Sequence, residues 1–248
     1  MVIRVGVFGR GRLGTLVASA LVAARDLECV WVLGRSQTPP EDAPVDVAVD
    51  VGHHDAVAEH LEWAERTRTD LVIGATGWPA EAMRSTTPEH GVLVAPNFSL
   101  SMALLRRFAA VLGAYAAAAP GPVDLAVVET HHRHKVDAPS GSAVLLADAL
   151  AKASGRRPDD IAGASLRLAE VVGRHEVRYE TPLETLTLSH EAHRREVFAE
   201  GALQAARWLH GRQGAYTLDD WAAEHLDGLF GAARDDATAQ HSAQPVLA

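Results

Sequence analysis

Apolar residues fall into short blocks over the first hundred positions, and the spacing inside each block predicts its element. Residues 2–8 (VIRVGVF) form a β-rich run that predicts a strand. Leu13, Leu16, Val17, Ala20, Leu21 and Ala24 then recur at three- and four-residue steps, one face of a helix over three turns. Residues 27–33 (LECVWVL), 45–51 (VDVAVDV), 71–77 (LVIGATG) and 91–95 (GVLVA) predict four more strands. A helix is predicted over 54–66, and 37–44 (QTPPEDAP) fits no regular element. Strands alternating with helices imply a parallel sheet covered on both faces, with ligands at the carboxyl ends of the strands.

From Ser99 the pattern changes. Leu100, Leu104, Leu105, Phe108 and Leu112 mark a helix of about fourteen residues. After the Ala/Gly/Pro-rich stretch 113–122, residues 123–128 (VDLAVV) predict a strand and 143–150 (AVLLADAL) the start of a helix. A polar linker spans 154–163. Leu166/Leu168, Val177/Tyr179 and Leu186/Leu188 then alternate with polar neighbours, as in an antiparallel or mixed sheet with one apolar and one polar face. That polar face is expected to line a substrate cleft or to meet another subunit. Two helices are predicted at 194–209 and 217–230. The expected fold is α/β, with a dinucleotide-binding domain over 1–98 and an α+β substrate and oligomerisation domain with a mixed sheet over 99–209. Helices in 210–232 are expected to return to the first domain, the helix at 194–209 is a further candidate to do so, and the aperiodic residues 233–248 are expected to form a disordered tail.

Composition narrows the function. The chain has 248 residues, 48% apolar and 22% charged, enough for two modest cores. No apolar run approaches the roughly 20 residues of a membrane helix. A net charge of −9 argues against nucleic acid as partner and requires that any anionic ligand be held by local cations. The first residues enter a strand and a glycine turn at once, which predicts no leader peptide. The single Cys29 excludes a disulfide framework and a cysteine metal site and fits a reducing cytoplasm.

The candidate cofactor site begins at Gly9-Arg10-Gly11-Arg12-Leu13-Gly14, between the first strand and its helix. Strand, G-x-G-x-x-G and helix form the context of a Rossmann-like dinucleotide fingerprint: a tight turn, close backbone approach to the pyrophosphate, and a helix N-terminus beneath it. The second strand ends in Gly34-Arg35-Ser36, without the acidic residue that would accept from a ribose 2′-OH. Arg35 and Ser36 suit a 2′-phosphate, so NADPH is the preferred cofactor and NADH the alternative. Gly74, Ala75 and Thr76, with Ala95, Pro96, Asn97 and Phe98, stand at two further carboxyl ends, where backbone groups and Asn97 are expected to hold the nicotinamide half. Asn97 is equally suited to capping the helix that follows.

The densest cationic stretch is ETHHRHKVDAPSGS, residues 129–142, between an apolar strand and a helix. Only two of the 23 basic residues are lysines, Lys135 and Lys152. A lysine inside this cluster suggests proton donation, which arginine cannot supply. The helix start at Ser140-Gly141-Ser142 offers free N–H groups to an anion. Three histidines can ligate zinc, but adjacent histidines rarely converge on one ion and no acidic or cysteine partner has ligand spacing; no metal is expected.

The stretch closely resembles the H-H-x-x-K-x-D-A-P-S-G-T-A signature of the dihydrodipicolinate reductases. GATG at 74–77, APNFS at 95–99, VVGRH at 171–175 and RREVFAEGALQAARWL at 194–209 extend the resemblance along nearly the whole chain. The glycine turn has one residue between its first two glycines where the family commonly has two, and Ser142 replaces the usual threonine. The resemblance implies reduction of a cyclic unsaturated imine dicarboxylate with NAD(P)H in lysine and diaminopimelate biosynthesis, by a homotetramer. It implies that His131 and Lys135 donate protons, that His132 binds substrate, and that Gly141 and Ser142, with Ser140 beside them, hold a carboxylate. Hydride addition to a conjugated imine requires an acid, and an imidazole crowded by Lys and Arg is expected to have a proton to give near neutral pH. A same-fold imine reductase of specialised metabolism is the alternative.

Overall fold

The computed structural model describes residues 2–83 and 89–241. Among the described residues, ten strands and six α-helices form two layered units. In chain order they are β1 (Ile3–Phe8), α1 (Arg12–Ala23), β2 (Leu27–Leu33), β3 (Val47–Asp50), α2 (Val57–Thr67), β4 (Asp70–Ile73) and β5 (Gly91–Val94). Then follow α3 (Leu100–Ala117), β6 (Asp124–His131), α4 (Gly141–Ser154), β7 (Ala162–Arg167), β8 (Gly173–Glu180), β9 (Thr185–Ala192), α5 (Glu196–Leu209), β10 (Gly214–Thr217) and α6 (Leu218–His241).

The first unit is a six-stranded parallel sheet in the order β10-β5-β4-β3-β1-β2. All four residues of β3 and of β4 are buried, as expected of strands covered on both faces. The glycines at the end of β1 do separate jobs. Gly9 adopts φ +123°, which favours glycine, and a Cβ on Gly14 would stand 1.9 Å from the Gly9 carbonyl oxygen. Helix and strand therefore pack at backbone distance.

Two features of this sheet sharpen the sequence expectation. β10, four residues with weak alternation, adds an edge strand within 210–232, where only helices were expected. Helix α5, placed within 99–209 by the domain bounds but open to a return to the first domain, packs on α1 and on β3, β4 and β5. Its buried stripe is Ala199, Gly201, Ala202, Leu203, Ala205, Ala206 and Leu209. Small residues allow close approach: a Cβ on Gly201 would lie 1.9 Å from the Phe98 carbonyl oxygen. The first unit is thus completed by chain that returns after β9, sooner than residue 210.

The second unit is a mixed sheet, β7-β6-β8-β9, in which β6 pairs parallel with β7 and antiparallel with β8. Helices α3 and α4 cover one face. Leu125, Val127, Val177 and Tyr179 meet Leu105, Leu112, Leu146 and Leu150 there, each burial worth about 1.5–3 kcal/mol. Helix α3, at 18 residues and mean hydropathy 1.3, is long and apolar enough to cross a membrane by length and composition alone, although Arg106 and Arg107 interrupt its apolar run. Its buried side, including Met102, Leu105, Ala109, Leu112 and Ala116, is nevertheless the packing surface of this core. The opposite face of the sheet carries an ion network in which Arg174 and Arg178 flank Glu176 at 2.6 and 3.0 Å.

At the carboxyl end, α6 runs to His241, so residues 233–241 are helical where a disordered tail was expected. The segment lacks an apolar period but is rich in alanine, the strongest helix former, and propensity suffices to extend a helix already begun. Residues 242–248 of that expected tail lie outside the described residues.

Candidate active site

Register assembles the site. On β6 the alternation turns Leu125, Val127, Glu129 and His131 to the helix-covered face, so the last two positions of an apolar stripe are a carboxylate and an imidazole. On β8 the inward set is Gly173, His175, Val177 and Tyr179. The antiparallel pairing sets Glu129 opposite His175, and two residues further His131 stands against Gly173, whose added Cβ would lie 3.1 Å from its Nε2. On the other side, parallel β7 sets Ser165 beside Glu129 and Arg167 beside His131. The reactive groups therefore lie on the apolar face, where the sheet outruns its helices, and not on the polar face.

Glu129 is 1% exposed, and its two oxygens have different surroundings. Its Oε1 accepts from Arg167 Nη2 at 2.9 Å and from the Ser140 backbone N–H at 3.2 Å, and Oε2 contacts His131 Nδ1. Burial alone would raise its carboxyl. Donors from Ser165, Arg167 and Ser140 and the charge of His131 overcome it and hold the group down at about 2. His175 donates to or accepts from Ser140 Oγ at 3.2 Å; burial first, and His131 second, push its imidazole down to about 4. His131 itself is pushed below its ordinary value by burial and by Lys135 and Arg167, with Glu129 opposing. The expected imidazole with a proton to give at neutral pH is corrected to a neutral ring, because burial and like charges both disfavour imidazolium.

Glu129, His131 and His175 bring ligand atoms within 4.8 Å of one another, an acidic partner that sequence spacing did not reveal. The arrangement fits an ion-paired carboxylate and imidazole better than a cation site, because two cationic side chains already face it. Glu129 Oε1 is saturated by donors, Oε2 is in direct contact with the imidazole, and Arg167 and Lys135 bring positive charge.

The loop after β6 returns on itself, with Lys135 N–H donating to His132 O at 3.0 Å. Lys135 Nζ lies 2.7 Å from Asp137 Oδ1, and Arg167 Nη2 donates to Asp137 O at 2.6 Å. Ser140 caps α4: its Oγ accepts from Ala143 N at 3.3 Å. With its N–H on Glu129 and its hydroxyl on His175, Ser140 is 3% exposed and has nothing left for a ligand, a correction to its expected substrate role. The free N–H groups of the first turn belong to Gly141 and Ser142.

Among the expected cofactor residues, Asn97 donates from Nδ2 to Ser142 Oγ at 3.1 Å while its Oδ1 accepts from Ser99 N at 2.9 Å. It both ties the two units together and steadies the start of α3, whose cap is Ser99. Ser99 Oγ also meets His190 Nε2 at 3.4 Å across the second crossover between the units. The Ala95 and Phe98 side chains are buried core, and Gly74 leaves the space that the Phe98 ring fills, so a cofactor role at these positions falls to their backbone groups. Thr76, Pro96, Arg35 and Ser36 are exposed at the carboxyl edge, as are Arg10, Gly11 and Arg12, while Gly74 and Leu13 are half-buried and Ala75 is buried. Arg10 donates from Nε and Nη2 to Val32 O at 3.0 and 2.8 Å, beside the end of β2. Helix α1 has no side-chain cap, so its first N–H groups are open, and Gly11 has free space about its Cα. These residues fit a dinucleotide pyrophosphate.

His132 is half-buried and its Nδ1 has no partner among the described residues. Desolvation first, then Arg195 and Arg12, push its imidazole down, opposed by Glu170. Arg12 belongs to the first unit, so a cationic group spans the cleft between the units. Arg133 and His134 are exposed. Sequence reasoning missed Glu129, Arg167, Gly173, His175 and Arg195 as members of the site. Period-two alternation on residues 123–131 was the available signal for Glu129, because it puts that carboxylate on the apolar stripe with His131.

Residues 3–98 match the family described as dihydrodipicolinate reductase, N-terminus, and residues 99–221 match dihydrodipicolinate reductase, C-terminus. The 4-hydroxy-tetrahydrodipicolinate reductase of Gluconobacter oxydans is 37% identical over 245 residues, covering 88% of this chain and 96% of that protein. The enzyme of the same name from Caldanaerobacter subterraneus is 31% identical over 255 residues, covering 89% and 98%. A dipicolinate-bound dihydrodipicolinate reductase from Paenisporosarcina superposes with a TM-score of 0.74 at 24% identity, covering 89% of this chain and 99% of that one.

Proposed function

The chain belongs to the dihydrodipicolinate reductase family, and on that premise we propose how its own residues carry out the reaction. It is an oxidoreductase that reduces 4-hydroxy-tetrahydrodipicolinate, a cyclic imine dicarboxylate, in the lysine and diaminopimelate pathway. A nicotinamide dinucleotide bound at the carboxyl edge of the parallel sheet supplies the hydride.

The observation that carries the reading is the bond from Asn97 to Ser142. It brings the end of β5 in the dinucleotide unit against the first turn of α4, the helix that follows the loop carrying Lys135. A diacid seated there would meet the N–H groups of Gly141 and Ser142 with one carboxylate. His132, backed by Arg195 and Arg12, would meet its remaining charge. The Lys135 ammonium would give the proton that the ring takes up after hydride addition, and Asp137 orients that ammonium from 2.7 Å. His131, neutral at rest, would relay a proton at Nε2. The dipicolinate carried by the Paenisporosarcina enzyme supports a planar diacid as the ligand class.

Gly9 to Gly14 and the open start of α1 would hold the pyrophosphate. Arg35 and Ser36, with Arg10 beside them, favour NADPH over NADH because they pair with a 2′-phosphate where no acidic residue competes. The charged open face of the mixed sheet supports assembly into a homotetramer, and the biosynthetic role supports a cytoplasmic location.

The test is a coupled assay in which pyruvate and aspartate semialdehyde pass through the upstream synthase while NADPH oxidation is followed. Oxidation that depends on the synthase is expected, and none above background would sink the proposal. Lys135→Ala should lower kcat by about 100-fold or more with little change in the cofactor KM. Full rate in that variant would remove Lys135 as the donor.

A further inference from the structure

We infer that Glu129 is a positioning residue of the reduction: its carboxylate keeps the proton of His131 on Nδ1 and leaves Nε2 as the ring atom open to the substrate. The inference rests on the reading of His131 as a proton relay and adds the group that sets its tautomer.

The geometry leaves the carboxylate one task. Oε1 is held by Arg167 Nη2 and by the Ser140 backbone N–H, so the carboxylate cannot rotate without breaking both bonds. Oε2 is thereby brought into ion-pair contact with Nδ1 of His131, two residues along the same face of β6. An ionised carboxylate only accepts, so the ring nitrogen it faces must carry hydrogen. With one proton on a neutral ring, Nε2 is left with a lone pair.

The far edge of the ring is open for a specific reason. Nε2 points over Gly173, where even a Cβ would stand only 3.1 Å away. Any other residue at that strand position would close the edge. The charged and titratable groups around His131 are Glu129 on its own strand, Arg167 on β7, His175 on β8 and Lys135 in the loop. Of these, Glu129 alone favours the protonated ring. A proton taken up at Nε2 gives an imidazolium whose charge Glu129 balances, and the same proton leaves from Nε2. Nδ1–H is never broken, and Glu129, held ionised by its donors, takes no proton.

A structural ion pair anchoring Arg167 would share this geometry, so the test must read the tautomer. Imidazole nitrogens labelled with 15N would be observed by NMR in the protein without substrate or cofactor, both as wild type and as Glu129→Gln. The wild type is expected to show His131 protonated at Nδ1 and bare at Nε2. In Glu129→Gln the amide NH2 can donate to Nδ1, so the proton is expected to move to Nε2. The variant should lose at least about 100-fold in kcat while its cofactor KM stays within about twofold, as a wrong-tautomer histidine does in other enzymes. The limb of its pH–rate profile that reports His131 should move to lower pH, because the one stabiliser of imidazolium is gone.

A wild-type ring protonated at Nε2 overturns the inference. So does a Glu129→Gln enzyme that keeps its rate, or one that loses rate while the proton stays on Nδ1. If the variant does not fold, the wild-type spectrum still decides. Because that spectrum needs no turnover, its outcome is separate from whether the coupled assay supports the reduction.

Discussion

Acidification should unfold this protein partly through one buried histidine. His175 is 5% exposed and accepts little help in carrying a charge. Burial first and His131 second push its imidazole to about 4, with His190 and Lys135 adding and Glu129 opposing. In the unfolded chain it titrates near 6.5. Between those values the unfolded state binds a proton that the folded state refuses, so stability falls as pH falls. The contribution is fully present above about 6.5 and lost progressively towards about 4. At about 1.4 kcal/mol per unit of difference, the full loss is about 3 kcal/mol, of which roughly 2–3 kcal/mol is lost by pH ~4.5. Glu129 works in a lower window: held at about 2, its contribution is present above 4.5 and lost as pH falls below it. The assay is urea denaturation of wild type and His175→Gln at pH ~7 and pH ~4.5. The variant starts less stable, having lost the bond to Ser140, but it lacks the titration. The gap between the two proteins should therefore shrink by roughly 2–3 kcal/mol on acidification. A gap that stays constant would refute the burial of a neutral imidazole at this position.

Other expectations follow from the same contacts. Gly173→Ala would put a methyl 3.1 Å from His131 Nε2 and should cut kcat about tenfold or more while the melting temperature holds; an unimpaired enzyme would mean that this edge of the ring is not used. Gly201→Ala forces α5 away from the Phe98 carbonyl, 1.9 Å from the new Cβ, and should cost about 1–3 kcal/mol or more, read as a Tm lower by about 2–4 °C per kcal/mol. A calorimetric trace that does not move would show that α5 can shift freely. Arg35→Ala should lower the ratio of kcat/KM for NADPH over NADH about tenfold, the scale of one charge-assisted hydrogen bond. An unchanged ratio would leave the 2′-phosphate to other groups.

The order of elements was legible in the chain because burial imposes periods that survive in one dimension. Strands covered on both faces read as continuous apolar runs at 27–33 and 91–95, and α1 reads as a 3.6-residue stripe. The glycine turn was legible because backbone proximity excludes side chains, as Gly14 against the Gly9 carbonyl demonstrates. The cationic signature was legible because its residues are contiguous. What the sequence could not show is everything that depends on register between distant strands. Glu129 acquires its donors from residues 11 and 38 positions away, and His131 its open edge from a glycine on β8. Each is ordinary in its own segment and becomes part of a site only when three strands align. The same holds for α5, whose small-residue stripe fits either unit by pattern alone and is committed to the first by close approach to Phe98. The protonation of His131 was likewise decided in three dimensions: sequence displayed the neighbouring cations, but burial, which dominates, exists only once the chain has folded.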